Sequence, residues 1–101
     1  MLRKGIAVII RNIEERECFV KACEKAGFLG TAGSSPADLC SRLPVKIYID
    51  NRRNNNNRCM SYSNVNYTNS DNEYDQVIEA SILFKNQLIS MKHNAKKASK
   101  I

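Results

Sequence analysis

Residues Gly5 to Arg11 (GIAVIIR) form an apolar, β-branched run followed at once by helix-start chemistry, and that junction constrains the fold more than any other feature of the chain. Val and Ile are stiff at χ1 and pack well on a pleated surface, so a short unbroken run of them reads as a strand buried on both faces. Asn12 stands three residues before Glu15, the spacing of a helix N-cap and its acidic capping-box partner. From Glu14 the apolar period turns helical. Phe19, Val20, Cys23 and Ala26 fall on one stripe, while Glu15, Arg16, Lys21 and Lys25 face away. Lys25-Ala26-Gly27-Phe28 then closes the helix with a cation, a glycine able to turn left-handed, and an apolar residue.

Beyond this β-α unit, Leu29 to Ser34 reads as a flexible connection. Ser35-Pro36-Ala37-Asp38 starts a second helix, Ser35 capping and Pro36 at its first position, which runs to about Arg42 and stops before Pro44. Val45 to Asp50 alternates, placing Val45, Ile47 and Ile49 on one strand face. A polar loop, Asn51 to Asn57, separates it from the weaker alternating run Arg58 to Ser63, giving a long-looped hairpin. Asn64 to Asn72 fits either loop or an edge strand around Val65–Tyr67. Ser70-Asp71-Asn72-Glu73 repeats the capping-box pattern, and a helix is predicted from Glu73 to about Met91. Its stripe is Val77, Ile78, Ser81, Ile82, Leu88 and Ile89, and Ala80 to Phe84 is apolar on most sides, fitting a strand, a partner contact or self-association. The expected architecture is an α/β (α+β) two-layer sandwich in the order β-α-(short α)-β-β-α. One domain is expected over 1–91, with a flexible basic tail over 92–101.

At 101 residues the chain has room for one hydrophobic core, and its 43% hydrophobic and 26% charged residues are ordinary for a globular domain. No stretch approaches the roughly 20 apolar residues of a membrane span, and Ile6 to Ile10 is too short for a signal-peptide core, so a cytoplasmic location is expected. Cysteines 18, 23, 40 and 59 form no C-x-x-C pair, and the only histidine, His93, lies among lysines. Zinc wants two close ligand pairs, so no metal and no cofactor are expected, and the thiols read as small apolar side chains.

Acid–base catalysis needs a histidine or paired buried carboxylates, whereas these acids gather on the outer face of the first helix and at the start of the last. No nucleophile elbow, P-loop or dinucleotide fingerprint is present, so the chain is read as a binding protein rather than an enzyme. Gly30-Thr31-Ala32-Gly33-Ser34-Ser35 leads into a helix start, and Gly30, Thr31, Gly33, Ser34 and Ser35 form a candidate anion site for a phosphate or nucleotide. The formal charge of +6 is clustered. Arg52, Arg53 and Arg58 flank the hairpin tip without an acid among them, and Lys85, Lys92, Lys96, Lys97 and Lys100 follow the last acid, Glu79. Such clusters suit phosphate backbones or acidic protein surfaces, and Tyr48, Tyr62 and Tyr67 offer rings for base stacking.

The layout from Ile6 to Phe84 resembles that of small orphan proteins carried by phages and prophages of low-GC Gram-positive bacteria. The resemblance is carried by the opening strand, Lys25-Ala26-Gly27-Phe28, Pro44-Val45-Lys46-Ile47-Tyr48-Ile49, Met60-Ser61-Tyr62-Ser63 and Tyr74-Asp75-Gln76-Val77-Ile78-Glu79-Ala80-Ser81. It implies an accessory factor that binds and inhibits a host defence protein or ribonucleoprotein without chemistry, as anti-CRISPR proteins do. It carries over no site residues. The alternatives are a nucleic-acid-binding regulator and a protein that sequesters a nucleotide signal in the Gly30–Ser35 loop.

Overall fold

The computed structural model describes residues 2–51 and 57–99, the last five of these as backbone alone. Arg52, Arg53 and Lys100 lie outside the described residues, as do the side chains of Lys96 and Lys97. The elements are β1 (Ile6–Ile10), α1 (Ile13–Ala26), β2 (Leu29–Gly30), α2 (Pro36–Leu39), β3 (Val45–Ile49), β4 (Arg58–Ser63), a 3-10 turn (Asp71–Glu73), β5 (Gln76–Glu79), α3 (Ala80–Leu83) and α4 (Lys85–Ser99). They build an α+β fold on one five-stranded mixed sheet, ordered β2-β4-β3-β1-β5. β3 runs antiparallel to both β1 and β4, while β5 is parallel to β1 and β2 to β4.

Ile6, Val8 and Ile10 of β1, with Val45, Ile47 and Ile49 of β3 and Met60 of β4, meet Phe19 and Cys23 of α1, Leu39 of α2 and Phe84 in one core. Asn12 caps α1 as the spacing predicts: its Oδ1 accepts from the Glu15 N–H at 2.9 Å. The Glu15 carboxylate reaches back to accept from the Arg11 N–H and the Asn12 side-chain amide, both at 3.0 Å. Glu15 is therefore buried rather than facing away, and Cys18 joins Phe19 and Cys23 inside while Val20 is half-buried and Ala26 exposed. At the other end Gly27 has φ 77°, and the N–H groups of Phe28 and Gly27 donate to Cys23 and Glu24, the paired bonds of a Schellman stop.

The connection after α1 is not free: Leu29–Gly30 pairs with β4, fixed by Leu29 N–H to Asn57 at 2.8 Å and Thr31 N–H to Met60 at 2.9 Å. The second helix is one turn long, ending at Leu39 instead of Arg42. Asn64 to Ser70 is loop, not strand, and runs into the 3-10 turn at Asp71.

The predicted helix from Glu73 to Met91 is corrected in its first part. Ser70 makes no capping bond, and Gln76–Glu79 is a strand beside β1, Ala7 opposite Val77 and Val8 opposite Ile78. A long helix would leave the buried backbone of β1 unpaired along one edge, and tertiary pairing overrides the local pattern. Val77-Ile78 fits either period over so few residues. The helical stripe begins only at Ala80 and continues through Phe84, Leu88 and Met91, so Ile82 and Ile89 are exposed. Ala80–Leu83 is helix, and α4 continues to Ser99 where a flexible tail from Lys92 was expected.

Phe19 has no exposed surface and touches the centre of the core. Phe19→Ala is expected to destabilise the protein by roughly 3–5 kcal/mol, measured as a shift of the urea midpoint at unchanged m-value.

Candidate binding surface

β2 stops opposite Met60, so on the outer edge of β4 residues 61–63 have no strand neighbour among the described residues. The chain turns there through Gly33, whose φ of 86° favours glycine, with the Gly33 N–H donating to Gly30 and the Gly30 N–H to Ser34, each at 2.8 Å. A side chain at Gly30 would meet the Ser34 Cβ at 3.1 Å, which keeps the loop close. The Arg58 guanidinium lies beside Gly33, its Cζ 3.7 Å from where a Cβ would stand.

Tyr62 lies opposite Ile47 in the sheet and so stands on the helix-bearing side, yet it is 65% exposed. It borders two depressions. One, about 180 Å³, lies between Gly30, Thr31, Ala32, Ser34, Leu39 and Met60. The other, about 470 Å³, lies toward Asp38, Ser41, Arg42, Ser63 and Asn64. The expected residues Arg58, Gly30, Thr31, Gly33, Ser34 and Tyr62 thus gather along one side of β4. Arg42, which sequence reasoning did not single out, joins them beyond Tyr62; the signal for it was a cation between Asp38 and Asp50 with no acid between.

Other expected site residues lie elsewhere. Tyr48 is buried on the opposite sheet face, its ring 4.8 Å from that of Tyr74 and its hydroxyl donating to Asp71 Oδ1 at 2.7 Å, so it offers no stacking platform. Tyr67 is exposed in the loop covering that face. Lys92 is exposed on α4, lining a groove with Asn12, Glu14 and Leu88, away from β4. In the Gly30–Ser35 loop the amides of Gly30, Thr31 and Gly33 donate to carbonyls of Ser34, Met60 and Gly30. Ser35 Oγ accepts from the Asp38 N–H at 3.2 Å. Those groups are engaged within the fold rather than turned toward an anion.

No family model, curated protein or solved structure matches the chain.

The far sheet face carries a closed polar cluster. Lys46, only 1% exposed, donates from Nζ to the Tyr67 carbonyl at 2.7 Å and to both Asp71 oxygens at 3.0 Å. Hydrogen bonds from Tyr48 and Lys46 hold the Asp71 carboxyl below its usual value. A depressed carboxyl contributes stability that is present above its unfolded pKa, about 4, and is lost as pH falls through the lower folded value. Asp71→Asn is expected to flatten the acid limb of a stability-against-pH curve, read by denaturation between about pH 2 and 5.

All four cysteines are free and buried. Burial pushes every thiol upward, Cys40 to about 12 and Cys23 higher still. The thiolate is the reactive form, so the native protein is expected to react negligibly with a disulfide reagent near neutral pH and to yield all four thiols in denaturant. Rapid labelling of one cysteine in the folded state would contradict this. Among the described residues no Cys, His, Asp and Glu cluster is arranged to hold a metal, and no helix is long and apolar enough to cross a membrane.

Proposed function

We propose that this chain is a non-catalytic binding protein of the phage-accessory kind that inhibits a host defence ribonucleoprotein by holding its nucleic acid on a basic surface. The observation that carries the proposal is α4. Over fifteen residues it bears Lys85, Lys92, Lys96 and Lys97 and no acid, and among the described side chains its last one packed on the core is Met91. Acids reach this helix only from the neighbouring α1, whose Glu14 lines a groove with Lys85 and Lys92 and whose Glu17 lines one with Asn86 and Met91, among the described residues. A helix of this length spans about 22 Å, and a polyanion laid along it releases condensed counterions at each lysine it meets.

A plain nucleic-acid-binding regulator is the second reading, favoured by the same charges; it differs in that free nucleic acid alone would account for its action. Sequestration of a nucleotide signal by the Gly30–Ser35 loop is less favoured, because the Gly30, Thr31 and Gly33 amides are used internally.

The test is the affinity for a single-stranded RNA oligonucleotide between 50 and 200 mM salt. Lys92→Glu/Lys96→Glu/Lys97→Glu is expected to weaken binding and to flatten the slope of log affinity against log salt by about 0.7 for each phosphate no longer neutralised. At Lys92, which is exposed, the change should cost no more than about 0.5 kcal/mol of stability. A slope equal to that of the wild type would remove α4 from the mechanism.

A further inference from the structure

We propose that Tyr62 and Arg42 form a subsite for one unstacked nucleotide of a single strand, the base lying on the Tyr62 ring and its phosphate on the Arg42 guanidinium. The proposal rests on nucleic acid being the ligand and adds which form of it is recognised and where. Tyr62 is a large aromatic side chain held 65% exposed at a fixed place in a sheet, and no hydrogen bond engages its hydroxyl among the described residues. An aromatic face is what an unpaired base seeks, since every base has a π-face and stacking tolerates any sequence.

The depression beside the ring, about 470 Å³, falls within the 300–1,000 Å³ of ordinary ligand sites. Arg42 is exposed on its wall and makes no ion pair among the described residues, so its planar fork of donors is available to a phosphate. Asp38 lines the same depression and can only accept hydrogen bonds when ionised. Its charge repels a phosphate from that end, which directs the backbone to Arg42 and leaves the carboxylate for a ribose hydroxyl or an exocyclic amine. The outer edge of β4 at residues 61–63 has no strand neighbour among the described residues, which leaves backbone groups beside Tyr62 for a ligand. On the other side of Tyr62 the smaller depression continues toward the Gly33 turn and Arg58, giving the strand a direction to run. A duplex keeps all but its two terminal base faces inside its own stack, so along its length it presents none to the ring.

The experiment measures binding of a twelve-nucleotide oligouridine and of a duplex of the same length to the full chain and to three variants. Tyr62→Ala is expected to weaken oligouridine binding about 5- to 100-fold and leave duplex binding unchanged, while Tyr62→Phe, which keeps the ring, retains affinity. Arg42→Gln is expected to flatten the oligouridine salt slope by about 0.7, the equivalent of one phosphate. Melting curves equal to that of the wild type establish that the variants fold. If Tyr62→Ala binds oligouridine as the wild type does, or loses both ligands equally, the subsite is overturned. In either case a loss on reversing the α4 lysines would still uphold the broader function. If the wild type binds neither probe, the nucleic-acid reading falls and the subsite with it.

Discussion

The arrangement of the second half of the chain depends on one buried charge. Lys46 lies on a central strand with almost no exposed surface, and an unpaired ammonium there would cost several kcal/mol. Its three hydrogen bonds all end on the loop after β4, at Tyr67 and at both oxygens of Asp71. That leaves the loop one place to lie, across the sheet face that the helices do not cover. Tyr74 comes to rest on Tyr48, the Asp75 N–H donates to Gly5 at 2.8 Å, and the chain arrives beside β1 in register to form β5. The positions of α3 and α4 follow, because Ala80 is the first residue after that strand and both Ala80 and Phe84 point into the core.

What was legible in the sequence was local. The Asn12 cap, the Gly27 stop, the β3 alternation and the bounds of β4 all depend on residues within a few positions of one another, and each stands where its pattern places it. What was not legible depends on distant partners. Lys46 and Tyr48 read as the solvent side of an alternating strand because the loop that covers them is polar and has no period of its own. Glu15 read as an outward acid because its burial serves the cap rather than the stripe. The Gln76–Glu79 strand was hidden inside a plausible helix, since only the vacant edge of β1 decides between the two. Of the candidate site, the grouping of Arg58, the Gly30–Ser34 segment and Tyr62 was beyond reach of spacing alone: β2 brings them together through two paired positions.

Sheet order separates the basic surfaces. Arg58, Tyr62 and Arg42 lie by β4, next to the β2 edge, while α4 follows β5 at the opposite edge. Neither surface draws on the core, so charge can be altered at either without disturbing the packing of Phe19 and its neighbours.

The ion pairs that bracket β5 have a further effect. A sheet of this kind ends in two open edges, and an open edge is a template on which a second molecule can add a strand. One edge here is β2, only two residues long, continued by residues 61–63 of β4, which have no strand neighbour among the described residues. The other, four residues long, has Asp75 joined to Arg3 at 2.9 Å before it and Glu79 joined to Arg11 at 2.8 Å at its end. An incoming strand would have to strip water from both pairs while gaining few backbone bonds, a poor exchange. The β5 edge is thereby protected against gaining a strand from a second molecule, even in a concentrated solution.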